Sequence, residues 1–356
     1  MKPGFLKYNS LLFAALTTLL LLSSCATPKL VKPIQPVSVE MQELAKEFKA
    51  AISGSKETGV VLTGSSIDFY EEIPEELALR LSMLGIGRTY LKIEPETLDD
   101  DQTADNLHGI IAALSRKNIQ SNFIISDYLF YASGITHDSL QEYPDGKAVI
   151  HETAKRIMRF NRQADEDGEK ISGVTLIVNP HRIRPDGADT PRGLLYAWND
   201  KSYGKSMDND MLMRQSFDII QQLTTELESL PLSVEIANFY HDQTVAGKLS
   251  IGQVNDFLKH SQYLIITAFD KSSKQIVARA AEELKKCQSP NSIVVGVRTD
   301  SRLFGDYTEA QSLSRKKWKA FAKSVKTVVS RCSKDSAFRG ICFYSFDGLE
   351  QVWERE

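Results

Sequence analysis

Short apolar, β-branched runs alternate with longer amphipathic stretches from residue 39 to the end of the chain. The runs Val60–Thr63, Thr89–Ile93, Asn122–Ser126, Val174–Val178, Leu232–Ala237, Tyr263–Phe269, Ile293–Val297 and Gly340–Phe346 read as strands. Each is apolar at odd and even positions alike, as parallel strands covered by helices are. Between them, apolar residues recur at helical spacing. These helical segments centre on Pro74–Leu84, Thr103–Lys117, Lys147–Ala164, Asn209–Ser229, Gly252–Lys259, Lys274–Lys286 and Gln311–Arg331.

Eight strand–helix units without a break in composition predict a (β/α)8 barrel, an α/β fold of ~250 residues before insertions. An open doubly wound sheet is the rival. That fold carries a glycine-rich phosphate loop after its first strand, and Gly64-Ser65-Ser66 matches such a loop weakly. The closed barrel is therefore favoured, as one domain over residues 39–356. Only nine residues follow Asp347, so the eighth helix is expected to be missing or very short. A barrel without it would expose the outer faces of its first and last strands. The segment Val39–Ser53, with Met41, Leu44, Phe48 and Ile52 on one helical face, is expected to cover that gap.

The N-terminus changes the picture. Lys2 and Lys7 precede an apolar run, Leu11 to Leu22, and then Ser23, Ser24 and Cys25. A basic start, a short apolar core and small residues before a cut site describe a secretory signal peptide. The run is well short of the ~20 residues a membrane span needs. Leu22-Ser23-Ser24-Cys25 resembles the lipobox of bacterial lipoproteins. That resemblance implies cleavage after residue 24, diacylglycerol on the Cys25 sulfur, and anchoring to a membrane through that lipid. Ala26 stands where an acidic residue would signal inner-membrane retention, which implies a cell-envelope protein on the outer membrane. Residues 25–38 hold three prolines and form a semi-rigid linker.

Losing Lys2 and Lys7 with the leader takes the formal net charge from −3 to −5. A mildly acidic body without a basic stripe excludes nucleic acid as a partner. No second apolar run approaches spanning length, which predicts a tethered, water-facing body. Cys287, Cys332 and Cys342 remain after Cys25. An oxidising envelope permits disulfides. Cys287 and Cys332 each end a helix just before a strand, on the bottom face of adjacent units, and are expected to pair, leaving Cys342 a buried thiol. There is no CxxC, no HExxH and no histidine pair at ligand spacing, so neither a metal nor another cofactor is expected.

Barrel chemistry sits at the C-terminal ends of the strands. Strand alternation places Tyr90, Lys92 and Glu94 inward, with Ser233, Glu235 and Ala237, then Ile177 and Asn179, Phe269, Gly296 and Arg298, and Tyr344 and Phe346. The convergent polar set is Lys92, Glu94, Asn179, Glu235 and Arg298, with Asp270, Asp300 and Asp347 at the rim. Glu94 and Glu235 could serve as the carboxylate pair of glycoside hydrolysis. Equally, Lys92 and Arg298 could hold them in an ion network, with Arg298 bonding one of them. Two long connections, Asp127–Gly146 and Pro180–Ser206, bring Tyr128, Phe130, Tyr131, Tyr143, His181, Arg182, Arg184, Arg192, Tyr196, Trp198 and Tyr203 to the same end. Tyr240 follows the fifth strand. Aromatic rings stack on sugar faces and arginines clamp carboxylates; rings such as Phe130 and Tyr196 could instead anchor the loops.

From the fourth strand onward the order of motifs resembles a group of bacterial glycoside-hydrolase-like barrels. In that group the fourth strand reads Gly-Ile-x-Leu-Asp-x-Glu-Pro, the sixth ends in Met-x-Tyr, the seventh in Gly-x-Glu-Thr and the eighth in Gly-Ile-x-x-His. Here Gly173-Val174-Thr175-Leu176-Ile177-Val178-Asn179-Pro180 keeps the first frame, with Ile177 and Asn179 in place of the acids. Thr267-Ala268-Phe269 stands at the second, Gly296-Val297-Arg298-Thr299 at the third, and Gly340-Ile341-Cys342-Phe343-Tyr344 at the fourth. The resemblance implies the fold but loss of the usual acids, hence of general acid–base catalysis. Two functions stay open. One is an envelope lipoprotein binding a glycan or a partner protein without catalysis. The other is a glycoside hydrolase that uses Glu94 and Glu235.

Overall fold

A computed structural model of the chain describes residues 37–132, 145–183, 196–199, 207–300 and 311–355. In chain order it shows α1 (Val39–Ala51), β1 (Glu57–Leu62), α2 (Gly64–Tyr70), α3 (Pro74–Leu84), β2 (Arg88–Lys92), α4 (Asp101–Arg116) and β3 (Gln120–Ile125). Then come α5 (Gly146–Gln163), β4 (Gly173–Val178), α6 (Met207–Glu226), β5 (Leu232–Ala237), α7 (Tyr240–Val245), α8 (Val254–Phe257) and β6 (Leu264–Thr267). The chain ends with α9 (Ser273–Lys286), β7 (Ile293–Arg298), α10 (Trp318–Cys332), β8 (Phe338–Tyr344) and α11 (Phe346–Trp353). The strands pair in sequence order, all parallel, and β8 closes on β1 through Glu57–Gly340 to Val60–Phe343. The fold is a (β/α)8 barrel.

Two apolar layers hold it. The outer layer lies between strands and helices; the inner one fills the barrel with Val61, Tyr90, Ile124, Tyr263, Ile265, Phe269, Val294, Cys342 and Tyr344. Gly59 makes room for the inner layer, because a β-carbon there would lie 2.6 Å from the Tyr90 ring. The bottom of the barrel is plugged by polar groups. Glu57 accepts from the Tyr90 hydroxyl at 2.8 Å and from Arg339 Nε at 2.8 Å, and pairs with Arg88. The Arg339 guanidinium lies over the Tyr263 ring, 4.5 Å from its centroid. The plug leaves the C-terminal strand ends as the open face.

α1 occupies the place of the eighth helix, packed against both α10 and α3. Ser38 caps its start through the Met41 amide. Phe48 is fully buried and meets Trp318, Phe321 and Phe343 at centroid distances of 5.3, 5.9 and 5.4 Å. Ala45, Ala51 and Ile52 are buried beside it, with Met41 and Leu44 packed on the same core. The indole nitrogens of Trp318 and Trp353 donate to the carbonyls of Leu44 and Met41. The eighth helix is very short, as expected: it is the eight-residue α11. Phe346 therefore turns outward instead of into the barrel and packs on Tyr70. Gly85 ends α3 in the left-handed region at φ 73°, a conformation glycine adopts without a Cβ clash.

The expected Cys287–Cys332 disulfide is absent: Cys287, Cys332 and Cys342 are all free thiols. Cys332 points into the apolar layer on the inner face of α10 and is fully buried, where burial pushes its thiol up to about 12. Cys287 instead caps α9, with its sulfur 3.1 Å from Ser292 Oγ. Cys332 is enclosed by the apolar layer, whereas Cys287 is partly exposed and its thiol bonds within the turn before β7. Among the described residues no helix is long and apolar enough to cross a membrane. Cys25 lies outside the described residues.

Candidate functional site

A cavity of about 220 Å³ opens at the C-terminal end of the barrel. Strand alternation delivers Val61 from β1, Lys92 from β2, Ile124 from β3, Ile177 and Asn179 from and just after β4, Glu235 from β5 and Tyr344 from β8. Phe269 follows β6. The remainder of the wall comes from two turns. Ser126, Asp127, Tyr128 and Tyr131 follow β3, and Arg182 sits in the turn Pro180–Arg182 after β4.

Glu235 lies at the floor and is 5% exposed. Its Oε2 accepts from the Tyr344 hydroxyl at 2.6 Å. Burial pushes its carboxyl up to about 7, opposed by the Tyr344 hydrogen bond and the charges of Arg182 and Lys92. A buried carboxylate is poorly solvated, so the neutral form gains. The same burial, together with Glu235, raises Tyr344. Asp127 is the second carboxylate in the wall. Its Oδ1 accepts from the Leu129 amide at 2.8 Å, and burial raises it despite that bond. Tyr131 is anchored by its hydroxyl, 2.8 Å from Ser216 Oγ.

Nine of the expected residues thus meet at one cavity: Lys92, Tyr128, Tyr131, Ile177, Asn179, Arg182, Glu235, Phe269 and Tyr344. Others do not. Glu94 is exposed outside it: β2 ends at Lys92, and Pro95 starts a 3-10 turn for which Glu94 is the cap. The Glu94–Glu235 pair therefore does not assemble. Arg298 is buried but lines no part of the cavity, and the cations acting on Glu235 are Arg182 and Lys92. The expected Arg298–carboxylate link at the mouth is replaced by Tyr344–Glu235.

The rim acids lie outside this cavity and are engaged by neighbouring groups. Asp270 accepts from the Ser272 amide and pairs with Arg279 at 3.2 Å. Asp347 accepts from Thr63 Oγ1 and Ser66 Oγ, both at 2.7 Å, tying the end of β8 to the end of β1 beside a separate shallow cavity. Asp300 is buried next to Ser345. Trp198 is buried rather than offered to solvent; it packs with His181 and Tyr240, His181 in turn meets Phe239, and the Trp198 amide donates to the Ile183 carbonyl. The Tyr240 hydroxyl lies 2.5 Å from His181 Nδ1. These rings anchor the loop after β4. Tyr143, Arg184, Arg192 and Tyr203 lie outside the described residues. No group of three or more His, Cys, Asp and Glu among the described residues is placed to hold a metal ion.

Sequence reading missed Asp127 and Ser126. Continuing the inward alternation Asn122, Ile124 by two residues reaches Ser126, and that signal was present.

No protein-family model matches the sequence, and no curated protein matches it either. Solved structures do match. The chain is similar to a fungal β-1,4-galactanase at TM-score 0.51 and 12% identity, over 82% of this chain and 89% of that one. It is similar to a GH5_18 protein from Streptomyces cattleya, in complex with Manβ1-4GlcNAc, at 0.51 and 10%, over 81% and 70%. It is also similar to the PgaB glycoside hydrolase domain from Bordetella bronchiseptica at 0.50 and 11%, over 83% and 95%. At such identities the likeness concerns the fold: a glycoside-hydrolase-like barrel.

Proposed function

We propose that this protein is a cell-envelope lipoprotein, anchored by lipid on Cys25, whose barrel mouth binds a saccharide without hydrolysing it. One observation carries the reading. The cavity is walled by hydrogen-bonding groups and rings, yet the ends of β4 and β7 carry Asn179 and Arg298 where barrel glycosidases commonly place their two carboxylates. Asn179 offers one donor pair and one acceptor but cannot move a proton near neutrality, and arginine stays charged. Lys92, Arg182 and Asn179 suit sugar hydroxyls, while Phe269, Tyr128 and Tyr344 supply apolar faces. A concave cavity of this size favours a small saccharide over a protein partner, since stable protein interfaces bury ~800 Å² per partner.

A second reading has its own support. Asp127 and Glu235 line the same cavity, and a carboxyl at about 7 suits a general acid. Retaining hydrolysis needs the pair ~5–5.5 Å apart and inversion ~6.5–9.5 Å. Incubation with β-linked polysaccharides and assay of released reducing ends separates the two. Binding without release is expected. Release that Glu235→Gln or Asp127→Asn abolishes would establish the hydrolase.

A further inference from the structure

The wall of the barrel-mouth cavity is sorted by depth. Val61, Ile124, Phe269 and Tyr344 are buried and belong to the apolar layer inside the barrel, with Ile177 packed on that layer. They form the floor. The Phe269 and Tyr344 rings meet edge to face there, 5.1 Å between centroids. Ser126, Asp127 and Asn179, just after β3 and β4, are exposed or half-buried and stand at the rim. Among the buried lining residues, polar side-chain atoms come from Glu235, Tyr131 and Tyr344. The Tyr131 hydroxyl is held by Ser216, and Tyr344 donates to Glu235 at 2.6 Å.

A ligand that matches this wall is polar at its outer part and apolar where it enters. An ordinary hexose carries hydroxyls on every edge, C6 included. A hydroxyl taken to the floor gives up its water and meets Val61, Ile124 and Phe269, none of which can replace that hydrogen bond. A methyl group loses no hydrogen bond there and gains apolar contact. The cavity of about 220 Å³ lies below the ~300–1,000 Å³ of clefts that enclose drug-sized ligands, and fits one sugar residue.

We infer that the bound residue is a 6-deoxyhexose, seated with its C6 methyl on this floor and its ring hydroxyls toward Ser126, Asp127 and Asn179. This rests on the saccharide reading above and names the sugar class. The methyl of an N-acetylated sugar suits the floor less well. It brings an amide N–H and a carbonyl to the same depth, where Tyr344 already gives its hydroxyl proton to Glu235 and Tyr131 turns to Ser216. A pocket of apolar side chains rejects an added hydroxyl by roughly a hundredfold at most, which sets the scale of the expected preference.

Calorimetry on the purified full-length chain compares pairs that differ by one hydroxyl at C6: L-fucose with L-galactose, L-rhamnose with L-mannose, and 6-deoxy-D-glucose with D-glucose. N-Acetylglucosamine is the acetamido arm. At least one deoxy sugar should bind about tenfold or more tightly than its partner, and the pair that shows it gives the ring configuration. Val61→Thr puts a hydroxyl on the floor with little change of shape. It should narrow that preference to less than about threefold, with melting curves confirming the fold; Ile177→Thr repeats the test where Val61→Thr is unstable. Equal affinity within every pair overturns this inference and leaves the saccharide reading standing. So does tighter binding of N-acetylglucosamine than of every deoxy sugar, or a preference untouched by the Thr variants. No binding of any sugar overturns both.

Discussion

The Tyr344 hydroxyl at the end of β8 donates to Glu235 Oε2 on β5 at 2.6 Å, across the mouth of the barrel. Three strand positions around the ring separate these residues, so the bond ties opposite parts of the wall at the floor of the cavity. It also partly offsets the cost of burying the carboxyl. Without a donor, a buried acceptor loses its hydration with no replacement.

Glu235 and Glu283 make stability pH-dependent in the same sense. In the unfolded chain each carboxyl ionises near 4.5, while burial holds the folded groups to about 7 and about 8. Between those values the folded state binds more protons than the unfolded one, so stability falls as pH rises from about 4.5 toward 7 and 8. For Glu235 the loss is on the order of 3 kcal/mol at 1.36 kcal/mol per unit. Melting temperatures of Glu235→Gln and Glu283→Gln should gain on the native chain as pH rises from 5 to 8. Tyr344→Phe should move the other way, losing ~1–3 kcal/mol at pH 7. Parallel curves for native and Gln chains would contradict this.

Phe48→Ala should remove about 3–5 kcal/mol, the usual range for emptying a buried aromatic site. Phe48 reaches Trp318, Phe321 and Phe343, so the loss spreads over α10 and β8. Val39→Ala, on a residue 76% exposed in the same helix, should change stability by less than about 0.5 kcal/mol. Denaturant unfolding of the two variants checks the ranking.

Cys287 should react with iodoacetamide in the native protein, because it is partly exposed. Cys332 and Cys342 should react only after unfolding, both being buried with thiols pushed upward by burial. Intact mass without reductant should match three thiols. A mass two units lower would restore the disulfide.

Much of this architecture was written in local patterns. The run Leu232–Ala237 coincides with β5 and Pro74–Leu84 with α3, because each is bounded by its own turn chemistry. Within the strands, the period-2 alternation on an expected barrel placed Lys92, Glu235 and Tyr344 at one cavity, and it held one or two residues past the strand for Asn179 and Phe269 but not for Glu94. Legibility ended where a turn redirected the chain. One residue past the pleat, the chain at Ile93–Glu94 turns into Pro95, and the alternation no longer says where Glu94 points. Trp198 depended on non-local packing against Tyr240, and Cys332 on which face of α10 it occupies. Neither is a property of spacing alone.

Cys25→Ser should block maturation, leaving a longer chain with the leader attached and no lipid. Mass spectrometry of the membrane fraction checks it. Normal processing of the serine chain would exclude a lipid anchor on Cys25.

A glycan-array screen of the native chain beside Ile177→Trp bears most directly on the central claim. Ile177 lines the cavity, and an indole there would fill it. The native chain should retain a defined set of saccharides, and Ile177→Trp should lose them while melting cooperatively. Retention of no saccharide by the native chain, or of the same set by Ile177→Trp, would contradict saccharide binding at the barrel mouth.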